Sequence, residues 1–193
     1  VWHPAKNTFD PCYIHAQTST FYDAAVTPNT NWLRATTEAM SAVIGGCDAL
    51  TVHGYDAVFR TSDAFSERIA LNLSTLMKEE SHLDKTTDPA AGSYFLENLT
   101  LQLVETTWTL FLEVEQKGGL ATAFEQNFIQ EQIDQNFHAA LTALRQGTRI
   151  MVGVNKFRFD EEPVQPPEKR EIAPKTGPFT LLTDNRLSQF FEQ

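Results

Sequence analysis

Glu79-Glu80-Ser81-His82-Leu83-Asp84-Lys85-Thr86-Thr87-Asp88-Pro89-Ala90-Ala91-Gly92-Ser93-Tyr94-Phe95 lies between two strongly patterned helical stretches and decides how they connect. The proline ring of Pro89 crowds the residue before it, so helix is disfavoured at Asp88. Ala90-Ala91-Gly92 lets backbone approach backbone or ligand, and Ser93 is placed to cap the next helical stretch. Six ionisable residues crowd this link: Glu79, Glu80, His82, Asp84, Lys85 and Asp88. A loop at the mouth of an α/β fold carries such a group, and so does a solvated loop. Of the adjoining Glu79 and Glu80, one is expected to point to solvent and the other inward, where it would need donors. A weak strand is expected near 85–87.

Upstream, Cys12 to Thr18 reads as a short strand followed by a polar loop. From Asn31 to Ile44 the apolar residues Leu33, Met40, Val43 and Ile44 recur at helical spacing, and Gly45-Gly46 offers a left-handed stop. Cys47 to Val52 is nearly continuously apolar, as a strand buried on both faces should be, and delivers the loop His53-Gly54-Tyr55-Asp56. Ser62 or Thr61 is expected to cap a helix running to about Lys78, striped by Phe65, Ile69, Leu73 and Leu76. Downstream, a helix is expected from about Thr100 to Gln116, then two more at 120–126 and 128–146, and a strand at 149–154. Residues 158–178 hold five prolines with mixed charge and read as an extended tail; a short helix is expected within 183–191.

Strand, loop and helix thus repeat three times at α/β spacing. Three parallel units cannot close a barrel, which takes eight, so the architecture looks incomplete. Ligand chemistry in parallel α/β folds collects at the carboxyl ends of strands, here Gln17 to Thr20, His53 to Asp56 and the 80–92 junction.

The 193 residues carry a formal charge of −10, from 15 basic and 25 acidic side chains, with 41% apolar and 11% aromatic residues. Such a chain is globular, and nucleic acid and anionic membrane are poor partners for it. Cys12 and Cys47 each stand in a short apolar run, where a buried thiol in a reducing, cytoplasmic setting is expected. No stretch has the roughly 18 apolar residues of a membrane span, and the start lacks the regions of a signal peptide. A chain beginning Val1-Trp2, without methionine, is expected to be a piece of something longer.

The five histidines, His3, His15, His53, His82 and His138, show no close pair at ligand spacing, so no metal site is expected. Gly-x-Ser-x-Gly, Gly-x-Gly-x-x-Gly and Gly-x-x-x-x-Gly-Lys are all missing from the sequence, which leaves serine-hydrolase and phosphate-loop readings without support. His15 is as readily a satisfied core histidine as a ligand contact. His53, ending a buried strand, is better placed.

His15-Ala-Gln-Thr-Ser19, Pro28-x-x-Asn31-x-Leu-Arg-x-Thr-Thr-Glu-Ala-Met40, Gly45-Gly46, Phe65-Ser-x-Arg-Ile-Ala70, Glu79-Glu-Ser81, Asp88-Pro-x-x-Gly-Ser-Tyr94, Glu97-x-Leu-Thr100, Glu113-x-x-x-x-Gly-Gly119 and Gly153-Val-Asn-Lys156 together resemble the methylmalonyl-CoA mutases, in order from about residue 12 to 157. The resemblance implies a partial (β/α)8 TIM barrel over 1–157, its last three βα units with extra C-terminal helices, and a tail over 158–193. It also implies an adenosylcobalamin-dependent radical rearrangement of methylmalonyl-CoA to succinyl-CoA. Carried over by position, His15, Gln17 and His53 are expected to face the acyl-CoA, and Asn72 and Glu80 the adenosyl side of the cofactor. No residue of this chain takes a catalytic role.

Catalytic members of the family carry Arg, His and Arg where Tyr13, Thr51 and Leu71 stand. Those departures resemble the non-catalytic small subunit of two-subunit mutases. The sequence also lacks the family's Asp-x-His-x-x-Gly cobalt-ligand element, so the chain alone is expected to be inactive and to hold no cobalamin tightly. The expected partners are the acyl-CoA and a homologous mutase subunit or missing barrel half, met through the 12–18 edge or the helix 31–44.

Overall fold

The computed structural model describes residues 12–159, 182 and 185–192. Two short strands, β1 (His15–Gln17) and β2 (Ala49–Thr51), pair in parallel with Ala16 opposite Leu50. Parallel neighbours need a crossover, and helix α1 (Thr30–Ile44) is that crossover. Gly46, at φ 82°, ends α1 in the left-handed conformation that β-branched and bulky residues avoid, and its N–H bonds to Val43 O at 3.0 Å.

α1 buries its small residues, Asn31, Ala35 and Ala39, and leaves Leu33 and Met40 exposed. Helix α2 (Ala64–Glu79) likewise buries Ser66, Ala70 and Met77, while Phe65 and Leu76 stay open. Asp63 caps α2 by accepting the Ser66 N–H at 2.8 Å; Ser62 and Thr61, the expected caps, do not. Ser62 spends its hydroxyl on Asp56 instead, at 2.8 Å.

The expected third strand is absent. Leu83–Lys85 forms a 3-10 turn entered through His82 at φ 54°, and Glu79 and Glu80 are both exposed rather than one turned inward. Two strands, not the four expected, are formed among the described residues. Helix α3 (Tyr94–Gln116) starts about six residues earlier than its apolar pattern suggested. Ser93 occupies the N-cap position without a side-chain bond, and Glu97 reaches back to accept the Gly92 N–H at 3.2 Å. Helices α4 (Leu120–Glu125) and α5 (Phe128–Arg145) fall as expected. The expected strand at 149–154 is a turn closed by one bridge between Val152 and Lys156, because Asn155 gathers the local backbone: it accepts Met151 N–H and donates to Leu144 O and Arg149 O. The final expected helix is a 3-10 turn, Ser188–Phe191. The extended tail expected at 158–178 lies outside the described residues from 160 onward. Cys12 is exposed and Cys47 half-buried, so neither thiol has the buried setting expected.

The core does not lie on the sheet. Ala24, Val26, Phe137, Leu141, Leu144, Met151, Val154 and Leu187 form it, joining the loop after β1, α5, the 149–157 turn and the C-terminal segment. Three-residue strands offer too little surface for a core, so the long loop after β1 becomes the organising element.

Candidate functional site at the strand ends

β1 and β2 deliver two side-chain pairs: His15, the first residue of β1, reaches Thr51, the last of β2, and Gln17, the last of β1, reaches His53 just beyond β2. His15 Nε2 and Thr51 Oγ1 stand 2.8 Å apart in a hydrogen bond whose direction follows the ring tautomer. Gln17 donates its Nε2 to His53 Nε2 at 2.5 Å, which puts the ring proton of His53 on Nδ1. Parallel register makes both contacts: Gln17 lies opposite Thr51, two residues before His53. Thr18 completes the tie, its N–H bonding to Thr51 O at 3.0 Å and its hydroxyl accepting the His53 N–H at 2.9 Å. His15 is exposed rather than a core histidine.

Behind these pairs two polar hubs fix the loops. Asn31 is almost wholly buried; it accepts the Ala24 N–H at 3.0 Å and donates to Ala24 O and Tyr55 O, both at 2.9 Å. One amide thereby binds the loop after β1 to the loop after β2. Asp56, also buried, accepts from Ser62, Ser66 and Arg60. Burial works to raise the Asp56 carboxyl, but the hydrogen bonds from Ser66, Arg60 and Ser62 outweigh it and leave the group below the usual carboxylate range. Arg60 also lies over the rings of Tyr55 and Phe59, and Tyr55 stacks on Trp32 with 4.5 Å between centroids.

The loop after β1 is held from its far side as well. Arg34 donates to Val152 O, and Arg186 and Ser188 donate to Asp23 O. Asp23 itself is buried, and that burial, with Glu38 nearby, pushes its carboxyl up to about 7 against the opposing pull of Arg34 and Arg186. Beside this loop a cleft of about 640 Å3 runs between Ser19 to Tyr22 and the Ile133, Asn136 and Phe137 face of α5. Arg149 stands at its wall, donating to Tyr22 Oη at 2.7 Å.

Of the five residues expected at the site, His15, Gln17 and His53 are brought together. Asn72 and Glu80 are not. Asn72 lines a separate apolar groove with Trp32, Ile69 and Leu73. Glu80 stands 14 residues beyond Ser66, about 21 Å along the helix axis, at the end of α2 remote from Asp56. Asn31, Asp56 and Asp23 escaped the sequence reading; a buried asparagine or aspartate has no periodic signature, although Asp56 already stood in the loop that β2 delivers.

No group of three His, Cys, Asp or Glu side chains able to hold a metal ion stands together among the described residues. No described helix is long and apolar enough to cross a membrane.

Comparison with known proteins supplies the context. The family model for methylmalonyl-CoA mutase matches residues 3–178. A methylmalonyl-CoA mutase small subunit from Porphyromonas gingivalis is 41% identical over 152 residues, 79% of this chain and 25% of that protein. A methylmalonyl-CoA mutase from Escherichia coli is 36% identical over 169 residues, 84% of this chain and 24% of the relative. A Streptomyces virginiae methylmalonyl-CoA mutase small subunit is 36% identical over 165 residues, 85% of this chain and 26% of the relative. The chain thus spans about a quarter of the length of these relatives. With the family model covering most of its residues, the chain belongs to the methylmalonyl-CoA mutase family.

Proposed function

We propose that this chain is a section of an adenosylcobalamin-dependent acyl-CoA mutase that interconverts methylmalonyl-CoA and succinyl-CoA, and that it contributes the last βα units of a (β/α)8 barrel over 1–157, with 158–193 as a tail. The observation that carries this reading is the pairing of Gln17 with His53 at the carboxyl ends of adjacent parallel strands, with His15 of β1 bonded to Thr51 beside it, in a chain of this family. Amide and imidazole groups there suit the amide-rich arm of an acyl-CoA, which needs donors and acceptors at fixed spacing. His15, Gln17 and His53 hold and orient that arm. In the complete enzyme the cofactor supplies the radical chemistry, and other parts of the polypeptide or its partner hold it. Asn72 and Glu80 are proposed as cofactor-side contacts by correspondence alone, since the geometry sets them apart from the strand-end group.

A second reading has support of its own: a non-catalytic small subunit that scaffolds a catalytic one in the cytoplasm. The likeness to two small subunits favours it, as does the use of Thr51, at a position where catalytic chains carry histidine, to hold His15. Titrating the complete polypeptide with adenosylcobalamin, alone and with a catalytic mutase chain, while following succinyl-CoA formation separates the two. Turnover by the polypeptide alone supports the first. Turnover that appears only with the partner supports the second, and no turnover under either condition sinks both.

A further inference from the structure

Side chains close the two-stranded ladder at both of its ends. In a parallel pair, a bonded residue of one strand donates to the residue before its neighbour and accepts from the residue after it. With Gln17 opposite Thr51, the β1 side of that pattern is carried by Ile14, Ala16 and Thr18. Ile14 O accepts the Ala49 N–H at 3.2 Å and the Thr18 N–H bonds to Thr51 O at 3.0 Å, as the pattern requires. The two outer rungs depart from it. The Ile14 N–H, due at the carbonyl of Cys47, goes to Asp48 Oδ2 at 2.7 Å. The His53 N–H, due at the carbonyl of Thr18, goes to Thr18 Oγ1 at 2.9 Å.

Thr18 therefore ends the sheet where His53 begins. A regular rung would carry His53 on as a strand residue opposite Ser19. Accepting the amide on the hydroxyl instead lets the chain leave the ladder after Val52, with the His53 ring against Gln17. Thr18 suits this task because it is buried, at 6% exposure, and its β-branch restricts the side-chain rotamer that places the oxygen. The ring of His53 is half-buried. Its Nε2 is taken by the Gln17 amide, so the proton stands on Nδ1, and no described residue accepts that proton.

We propose that Thr18 is a positioning residue for acyl-CoA. Its hydroxyl holds the His53 backbone so that the ring, kept in its Nδ1–H form by Gln17, donates to a carbonyl oxygen of the acyl-CoA. This rests on the acyl-CoA reading above, which names His53 but not the group that aims it.

The test uses the complete polypeptide assembled with a catalytic mutase chain, as wild type, Thr18→Val and Thr18→Ser. Valine keeps the shape and removes the acceptor; serine keeps the acceptor. Long-range nitrogen–proton spectra of 15N-histidine protein, recorded at about pH 8.5 where an ordinary imidazole is neutral, give the ring tautomer. The His53 signals are those lost in His53→Gln. Calorimetric titration with methylmalonyl-CoA gives the affinity.

The expected result is a wild-type His53 protonated on Nδ1, a mixture of tautomers in Thr18→Val with Kd raised about tenfold, and a wild-type spectrum in Thr18→Ser with Kd within about threefold. A general loss of stability does not move the tautomer, so the spectrum separates aiming from mere support. Thr18→Val with the spectrum and affinity of wild type overturns the positioning role and leaves the acyl-CoA reading intact. Wild type that binds no methylmalonyl-CoA overturns that reading and the proposal with it. If Thr18→Val does not fold, wild type alone decides. A slowly exchanging His53 amide together with a protonated Nδ1 supports the proposal, and a freely exchanging amide or a protonated Nε2 overturns it.

Discussion

Arg186 grips Glu192 through two parallel hydrogen bonds, NH1 to Oε1 at 2.7 Å and NH2 to Oε2 at 2.8 Å, with both side chains largely buried. The same Oε1 accepts the Ala25 N–H at 2.9 Å and the Ser188 hydroxyl at 2.8 Å. One ion pair therefore fastens the C-terminal segment onto the loop after β1. Burial acts to raise the Glu192 carboxyl, but Arg186, the Ala25 N–H and Ser188 prevail and leave it lowered. Removing Arg186 leaves that carboxylate buried and uncompensated. Arg186→Ala is expected to destabilise the fold by about 3 kcal/mol in urea unfolding, and the pair Arg186→Met with Glu192→Leu to recover most of the loss. A loss below about 0.5 kcal/mol for Arg186→Ala would show that the latch carries no stability.

Asp23 gives stability the opposite dependence on pH. Its carboxyl titrates near 7 in the fold and near 3.8 in the unfolded chain, so between those values folding takes up a proton. Its contribution is full below about pH 4, falls as pH rises and is gone above about 7. Asp23→Asn, neutral throughout, is expected to match wild type near pH 4 and to exceed it by about 2–4 kcal/mol at pH 8. Thermal melts of the two proteins at both pH values measure the difference. Equal stability at pH 8 would mean that Arg34 and Arg186 already neutralise the carboxylate.

Gly54 admits no side chain. A Cβ there would lie 2.7 Å from both Asp56 Oδ1 and Ser62 Oγ, and would also collide with Ser66 Oγ. Gly54→Ala must therefore push apart the bonds that hold Asp56 to α2, and is expected to cost about 2–4 kcal/mol. Asn31→Ala, which strands the backbone groups of Ala24 and Tyr55, is expected to cost a similar amount. Denaturant midpoints check both, and wild-type midpoints would show that the loops do not depend on these hubs.

On the proposed function, the Gln17–His53 pair is expected to act as a unit on acyl-CoA. In the assembled enzyme, Gln17→Ala and His53→Ala are each expected to weaken acyl-CoA binding about tenfold, and the double variant little more than either. Additive losses in calorimetric titration would show that the two residues meet ligand separately or not at all.

Much of the fold was legible along the chain because helices announce themselves locally. The spacing of Leu33, Met40, Val43 and Ile44, the stop at Gly45-Gly46 and the pattern through 128–146 place α1 and α5 within a residue or two. The same reasoning put strands at 85–87 and 149–154, where the structure has a 3-10 turn and a bridged turn. A short apolar run does not say whether another strand lies beside it, and an unpaired strand loses its ladder bonds. At 149–154 the side chain of Asn155 supplied those bonds instead.

Residue identity and near-neighbour spacing were enough for the family and for the placing of α1 and α5. They were not enough to tell that Gln17 meets His53 and not Thr51, that Asn31 joins the loop at Ala24 to the loop at Tyr55, or that Asn72 and Glu80 stand away from the strand ends. Those outcomes rest on strand register, on buried hydrogen-bond partners and on the length of α2. Each is fixed only when distant segments meet, because a buried donor or acceptor must find its partner wherever the fold brings one.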